Sequence, residues 1–177
     1  NLVLTIDQIV QYIAEKAIER VFEDWKPNSA TIIIMNPKNG DILAMANRPT
    51  FDPNLFNNSD VDSRRNRAIT DIYEPGSTFK TITASSVLEE GLVQLHERFF
   101  CENGAYRVSG RHVLHDHVPH GWLTFEEIID KSSNIGVYKV AERINGGKFY
   151  RYIKGFGFGE LTGIGLPGEA KGIVYPT

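Results

Sequence analysis

The sequence has 177 residues, of which 41% are hydrophobic, and its 19 basic residues stand against 22 acidic ones. This composition excludes an intrinsically disordered chain, and the net charge of −3 gives no sign of the excess of basic residues that is typical of nucleic-acid-binding domains. The length predicts one domain over residues 1–177, and the single cysteine, Cys101, excludes a disulfide within these residues and a cysteine-rich zinc site.

The first third of the chain predicts a helix followed by a β-hairpin. Residues 5–25 form an amphipathic helix with a capping box of Thr5 and Gln8, and Pro27 ends it. Its expected buried stripe is Ile6, Ile9, Val10, Ile13, Ala17, Val21 and Trp25. The apolar runs 30–35 and 41–46, joined by the turn-rich residues 36–40, predict two strands that are covered on both faces.

The rest of the chain alternates between loops and short helices. Residues 48–66 predict a surface loop, and a helix begins near Gly76-Ser77, ends at Glu90 and is stopped by Gly91. Residues 99–121 show no regular period. Thr124 and Glu127 form a capping box for a short helix, and further helices are expected over 134–144 and 148–155 before a glycine-rich tail.

The segment 73–80, with the sequence YEPGSTFK, carries the first candidate chemistry. Pro-Gly breaks the backbone just before a helical pattern, so Ser77 lies at a helix start and Lys80 lies one turn later on the same face. A lysine can serve as the base for a serine nucleophile if burial lowers its pKa. The competing interpretation is that Ser77 only caps the helix and Lys80 is solvated.

A second segment, KSSNIG at 131–136, supplies a hydroxyl at Ser132 and a carboxamide at Asn134 in a tight link between two predicted helices. The hydroxyl could relay a proton and the amide could hold a substrate carbonyl or the lysine. The alternative is helix capping by Ser133 or Asn134. Each segment alone is a weak signal.

Two other patterns favour no function. Zinc binding by His112, His115, His117 and His120 is disfavoured because no cysteine or H-E-x-x-H frame accompanies them. The glycines at 155, 157 and 159 follow a helical stretch and precede no G-K-[ST], so a close-packed turn is favoured over a nucleotide loop.

Taken together, the motifs and the phrases around them resemble the transpeptidase domain of class B penicillin-binding proteins, from Leu4 to about Pro176. The matching phrases are LTIDQ at 4–8, NPKNGDILAMANRPTFDPN at 36–54, RNRAITDIYEPGSTFK at 65–80, HGWLTFEEIIDKSSNIGVYKVA at 120–141 and FGFGELTGIGLPGE at 156–169.

The resemblance implies an α/β (α+β) fold of the penicillin-binding-protein/β-lactamase type, in which this chain holds the helical part and the first two strands of an antiparallel sheet. It implies that Ser77 is acylated by the D-Ala-D-Ala end of a peptidoglycan stem peptide and that Lys80 accepts its proton. Ser132 would relay a proton to the leaving D-alanine, and Asn134 would orient Lys80 and the substrate amide. β-Lactams would acylate Ser77, and no metal or organic cofactor is implied.

The resemblance also implies a place outside the bacterial cytoplasmic membrane, where the full-length protein is membrane-anchored and meets proteins of cell-wall synthesis or division. We expect the anchor to be absent from this sequence.

No K-T-G or K-S-G occurs in the 177 residues, and the family's second oxyanion donor comes from that motif. Because losing one such donor lowers the rate about 100- to 1,000-fold, we expect this chain to be inactive alone.

Three alternatives remain open at this stage. A serine β-lactamase would hydrolyse the acyl-enzyme, but no E-x-x-x-N pattern for class A deacylation follows Asn134. A β-lactam sensor domain would be acylated without cross-linking. The third alternative is a chain that folds but has no activity.

Some relatives carry a second cysteine where this sequence has RHVLH at 111–115, so a redox-switched disulfide within these residues is not expected.

Overall fold

The computed structural model describes residues 3–176, which form two compact units. The first comprises residues 3–72 and 164–170, and the second comprises residues 73–163 and 171–176. The expectation that residues 1–177 are the N-terminal portion of one domain stays a prediction. Over the part of the chain that is described, no helix combines the length and the apolar character needed to cross a membrane.

The first unit is a helix packed on a β-hairpin. Helix α1 (Gln8–Trp25) lies against strands β1 (Ala30–Met35) and β2 (Ile42–Arg48), which pair antiparallel as predicted. A short helix, α2 (Arg67–Thr70), follows the irregular residues 49–66. The buried centre of this unit is Ala14, Ile18, Ala44 and Ala46.

The N-terminal cap of α1 differs from the sequence prediction. Asp7, not Thr5, caps α1: its carboxylate accepts from the backbone N–H groups of Ile9 and Val10, while the Thr5 hydroxyl donates to the carbonyl of Ile42. An aspartate at this position satisfies two helix donors and favours the positive helix end. The predicted Thr5–Gln8 capping box is therefore wrong.

The buried face of α1 is also rotated from the prediction. Ala14 and Ile18 are buried against the hairpin, whereas Ile9, Ile13 and Trp25 are 71%, 58% and 81% exposed. The outward side chains of β1, such as Ile33, are half exposed, so the prediction that both faces of the strands are covered is wrong for β1 within residues 3–176.

The second unit is a helical cluster with two small strand pairs. Helix α3 (Lys80–Glu89) packs against helices α4 (Phe125–Asp130), α5 (Asn134–Ala141) and α6 (Gly146–Gly155). Its largest fully buried side chains include Phe125, Ile128, Ile135, Val87 and Val140. The Thr124–Glu127 capping box of α4 is confirmed, since each residue bonds the backbone N–H of the other.

Residues 99–121, predicted to be irregular, contain short strands. Strand β3 (Arg98–Phe100) pairs antiparallel with β6 (Trp122–Thr124), and β4 (Ala105–Ser109) forms a hairpin with β5 (His112–His115). The hairpin turns at Gly110, which has a φ of +48°. The Ser-Gly turn between short alternating runs was the available sequence signal.

Helices α4 and α5 approach each other closely at Gly136. A Cβ atom at this position would lie 2.6 Å from Cγ1 of Ile128, which is closer than carbon atoms can pack. Glycine is therefore required here for the spacing of the two helices, and that spacing determines the short link between them.

Candidate active site

Ser77 lies in a 3₁₀ turn, Gly76–Phe79, that leads directly into α3. Gly76 has a φ of +60°, and the backbone N–H of Lys80 donates to the carbonyl of Ser77. The Phe79 ring packs edge-on against Phe158 at 5.4 Å between centroids, which anchors the turn to the helical cluster. Ser77 is exposed, and its hydroxyl forms no hydrogen bond to any residue between 3 and 176.

Ser132 occupies a strained position between two helices. It follows the last turn of α4 with a φ of +56°, the left-handed conformation that glycine adopts most easily. Its N–H donates to the carbonyl of Ile129, and the N–H of Ser133 donates to that of Ile128. This pair of bonds is the Schellman ending of a helix, here with serine where glycine is usual.

Ser133 then begins the next helix. Its hydroxyl accepts from the N–H of Gly136 at 2.9 Å, so it is the N-cap of α5. The capping interpretation is thus correct for Ser133, which is buried. Capping by Ser133 leaves its neighbour Ser132 exposed at the end of α4 and Asn134 at the start of α5.

Lys80 and Ser132, separated by 52 residues, meet in the second unit. The Lys80 ammonium donates to the Ser132 hydroxyl at 2.9 Å and to the Ser132 carbonyl at 2.5 Å. The left-handed backbone of Ser132 directs both its oxygen atoms to one amine. The alternative of a solvated Lys80 is therefore wrong.

The electrostatic setting of Lys80 is that of a lysine able to lose its proton. Burial lowers the pKa of Lys80 below its ordinary value, and the nearby Asp116 carboxylate opposes this effect by raising it. A lysine with a lowered pKa has a larger neutral fraction near pH 7 and can accept a proton from a hydroxyl.

Asn134 follows Ser132 in the chain by two residues and forms no hydrogen bond with Lys80. Its side-chain N–H donates to the carbonyl of His115 at 2.9 Å, which fixes the orientation of the carboxamide. Its carboxamide oxygen accepts no hydrogen bond within the described chain. That oxygen is therefore available to a substrate N–H group.

No sequence motif points to Asp116, the residue that connects these elements. Its carboxylate accepts from the Ser133 hydroxyl at 2.7 Å and from the backbone N–H of Asn134 at 2.6 Å. The only hint was that it lies in the segment predicted to be an irregular histidine-rich loop. Its partners lie 17 and 18 residues away, and no local pattern reveals a contact at that distance.

Other potentially reactive groups do not join the site. Cys101 is fully buried, and burial raises the pKa of its thiol, so it is a poor nucleophile. Within residues 3–176, no three histidine, cysteine or carboxylate side chains come close enough together to hold a metal ion.

The family model described as "Penicillin binding protein transpeptidase domain" matches residues 30–177. Among curated proteins, the chain is 39% identical to stage V sporulation protein D of Bacillus subtilis over 178 residues, which cover 99% of this chain and 28% of that protein. It is 34% identical to peptidoglycan D,D-transpeptidase FtsI of Escherichia coli over 176 residues, which cover 99% of this chain and 29% of that protein. The chain thus spans less than a third of the length of these relatives.

Solved structures agree with this assignment. Penicillin-binding protein 3 of Mycobacterium tuberculosis superposes with a TM-score of 0.86 at 32% identity, covering 99% of this chain and 40% of that chain. A structure titled as a peptidoglycan glycosyltransferase from Burkholderia ambifaria gives 0.86 at 30% identity, covering 98% of this chain and 51% of that chain. The expected fold is confirmed. With the family model matching most of its length, the chain belongs to the penicillin-binding protein transpeptidase domain family.

Proposed function

We propose that this chain carries the serine acylation centre of a peptidoglycan D,D-transpeptidase. Ser77 is the nucleophile, Lys80 is its base, Ser132 relays a proton, and Asn134 binds the substrate amide. The observation that carries the proposal is the double hydrogen bond from Lys80 to Ser132, because it joins the two sequence motifs through an amine that can accept and return a proton.

In the first half-reaction, the Ser77 oxygen attacks the carbonyl carbon of the D-Ala–D-Ala bond and its proton passes to neutral Lys80. The C–N bond then breaks, and the leaving D-alanine nitrogen takes a proton from Ser132, which recovers one from Lys80. The Lys80 amine already contacts both oxygen atoms of Ser132, so it does not have to move to return this proton.

In the second half-reaction, an amine of a neighbouring stem peptide attacks the ester at Ser77. The amine loses a proton through the same relay, the C–O bond breaks and Ser77 recovers its hydroxyl proton. A β-lactam presents a similar carbonyl to Ser77, but its ring-opened amine stays attached and the ester persists. The partners proposed are therefore stem peptides and β-lactams, with proteins of cell-wall synthesis or division around them.

The relatives named as sporulation protein D and FtsI support a place in cell-wall synthesis. We propose that the protein acts on the outer side of the bacterial cytoplasmic membrane, where peptidoglycan is assembled.

The test is covalent labelling with a fluorescent penicillin, in the native polypeptide that carries this sequence and in the 177-residue chain. We expect Ser77→Ala to abolish labelling of the native polypeptide. Ser85→Ala is the matched control, since Ser85 lies further along α3 and its hydroxyl only donates to the carbonyl of Thr81. Equal labelling of Ser77→Ala and the unaltered protein would overturn the assignment of the nucleophile.

A second measurement separates the transpeptidase from its rivals. Enzyme that has not been treated with penicillin is offered a D-Ala-D-Ala peptide and a D-amino acid, and transfer of the acyl group from the peptide to that acceptor is followed by mass spectrometry. A transpeptidase forms the exchanged peptide. Rapid turnover of a chromogenic cephalosporin instead identifies a β-lactamase, and stable acylation without exchange identifies a sensor.

A further inference from the structure

We propose that Asp116 is a positioning residue for this acyl transfer: its carboxylate holds residues 132–134 in the conformation that presents Ser132 to Lys80. The inference rests on the proposed function. Asp116 lies just after β5, outside both sequence motifs, and it touches none of the reacting groups named above.

Three hydrogen bonds connect Asp116 to the start of α5. One carboxylate oxygen accepts from the backbone N–H groups of Asn134 at 2.6 Å and Ile135 at 3.0 Å. The other accepts from the Ser133 hydroxyl at 2.7 Å. Because Ser133 is buried and its oxygen also caps α5, the carboxylate fixes both the hydroxyl rotamer and the first turn of the helix.

Asp116 is itself held in place. Its backbone N–H donates to the carbonyl of Gly104 at 3.1 Å. A Cβ at Gly104 would lie 2.9 Å from the Cα of Pro119. The backbone at Gly104, which precedes Asp116 in the chain, therefore packs directly against Pro119, which follows it. The carbonyl of the preceding residue, His115, accepts from the Asn134 side chain. Residues 115 and 116 thus hold Asn134 by its side chain and by its backbone.

This anchoring explains how the strained Ser132 persists. A non-glycine residue in the left-handed conformation remains there only when its surroundings impose it. On its N-terminal side, Ser132 is fixed by the last bonds of α4, and on its C-terminal side it is fixed through Ser133 and Asn134 by Asp116. Without the carboxylate, the C-terminal restraint weakens and the two oxygen atoms of Ser132 need not face Lys80.

The charge of Asp116 provides a signature that distinguishes positioning from general stabilisation. Among the described residues, Asp116 is the charged group that acts appreciably on Lys80, and it raises the pKa of that lysine against the lowering effect of burial. If the turn stays folded, removing this charge lowers the pKa of Lys80 further. If the turn unfolds and Lys80 becomes hydrated, its pKa rises towards the ordinary value.

The test measures how the rate at which a fluorescent penicillin acylates the protein depends on pH. It compares Asp116→Asn with the unaltered protein, both in the native polypeptide that carries this sequence. We expect the rate to fall by about 10- to 100-fold, the effect of displacing a catalytic group by a fraction of an ångström to an ångström. The acidic limb of the pH profile moves to lower pH. Asp130→Asn is the matched control, because Asp130 is exposed, lies two residues before Ser132 and forms no side-chain hydrogen bond or ion pair within residues 3–176. Its rate and profile stay unchanged.

Ser133→Ala keeps the proposal testable if Asp116→Asn does not fold. It removes one of the three bonds but leaves the carboxylate charge, so the rate falls while the acidic limb stays in place. An unchanged rate in a folded Asp116→Asn protein, or an acidic limb that moves to higher pH, overturns the proposal. So does an unchanged rate in folded Ser133→Ala.

A readout independent of acylation separates this inference from the proposed function. The pKa of Lys80 is measured by NMR from its ε-carbon resonance, assigned with Lys80→Arg. A lower pKa of Lys80 in Asp116→Asn than in the unaltered protein supports the electrostatic effect of Asp116 on Lys80 even if no penicillin labels Ser77, in which case the proposed function alone fails. An equal or higher pKa contradicts the role of Asp116 whether or not Ser77 is acylated.

Discussion

Replacement of Ser132 by glycine should stabilise the fold relative to alanine while removing the same chemistry. Ser132 has a φ of +56° at the end of α4, where glycine is the residue best suited to the backbone. Both Ser132→Gly and Ser132→Ala lose the hydroxyl that accepts from Lys80, so the loss of that bond cancels when the two variants are compared.

The difference between the variants can be estimated. A left-handed conformation costs a non-glycine residue about 1–2 kcal/mol, and the glycine variant avoids this cost. Glycine has more conformational freedom in the unfolded chain, which offsets about 0.5–1 kcal/mol of the advantage of the glycine variant. The glycine variant should therefore be more stable than the alanine variant by roughly 1 kcal/mol. For a protein of 150–250 residues this is a difference of about 2–4 °C in Tm.

Thermal melting by circular dichroism measures the difference, and penicillin labelling measures the chemistry. We expect the glycine variant to melt above the alanine variant and both to be equally deficient in acylation. Equal melting temperatures, or a more stable alanine variant, would show that Ser132 is not strained. Restored labelling in the glycine variant would show that backbone shape, not the hydroxyl, is what the reaction needs.

Three further outcomes are expected. Gly136→Ala should destabilise the protein by about 1–3 kcal/mol in urea unfolding, because the new methyl group would overlap Ile128. Ser133→Ala should lower the free energy of unfolding by about 1–2 kcal/mol through loss of the α5 cap, and Ser85→Ala, outside any cap, should change it by much less. Acylation should rise with pH as Lys80 loses its proton, with a midpoint below the ordinary lysine pKa because burial lowers it; a midpoint at or above the ordinary value would contradict Lys80 as the base.

Local features of the fold were predictable because the interacting residues are close in sequence. The Thr124–Glu127 capping box is one example, and the stop of α3 before Gly91 is another. On α1, however, apolar residues cover a wide band, and the sequence does not say which edge of the band meets the hairpin. The small side chain of Ala14 packs under Ala44 and Ala46, while the larger Ile13 stays outside.

The motifs predicted which residues to propose for the candidate site, but they did not predict how Lys80 and Ser132 are arranged. Nothing local shows that Lys80 contacts the carbonyl as well as the hydroxyl of Ser132, since this depends on one left-handed residue. Asp116 was missed for a related reason: its three bonds cross 17–19 residues, and two of them reach backbone N–H groups, which every residue type except proline carries.

The close approach at Gly136 has a consequence for how this protein can change. Gly136 lies on the far side of Ser133 and Asn134 from Ser132, and its hydrogen atom faces Ile128, one of the two carbonyl acceptors that end α4. A larger residue would push the helices apart and open the link in which Ser132 sits. Position 136 should therefore reject larger residues, although Gly136 is not among the residues proposed to act on a substrate.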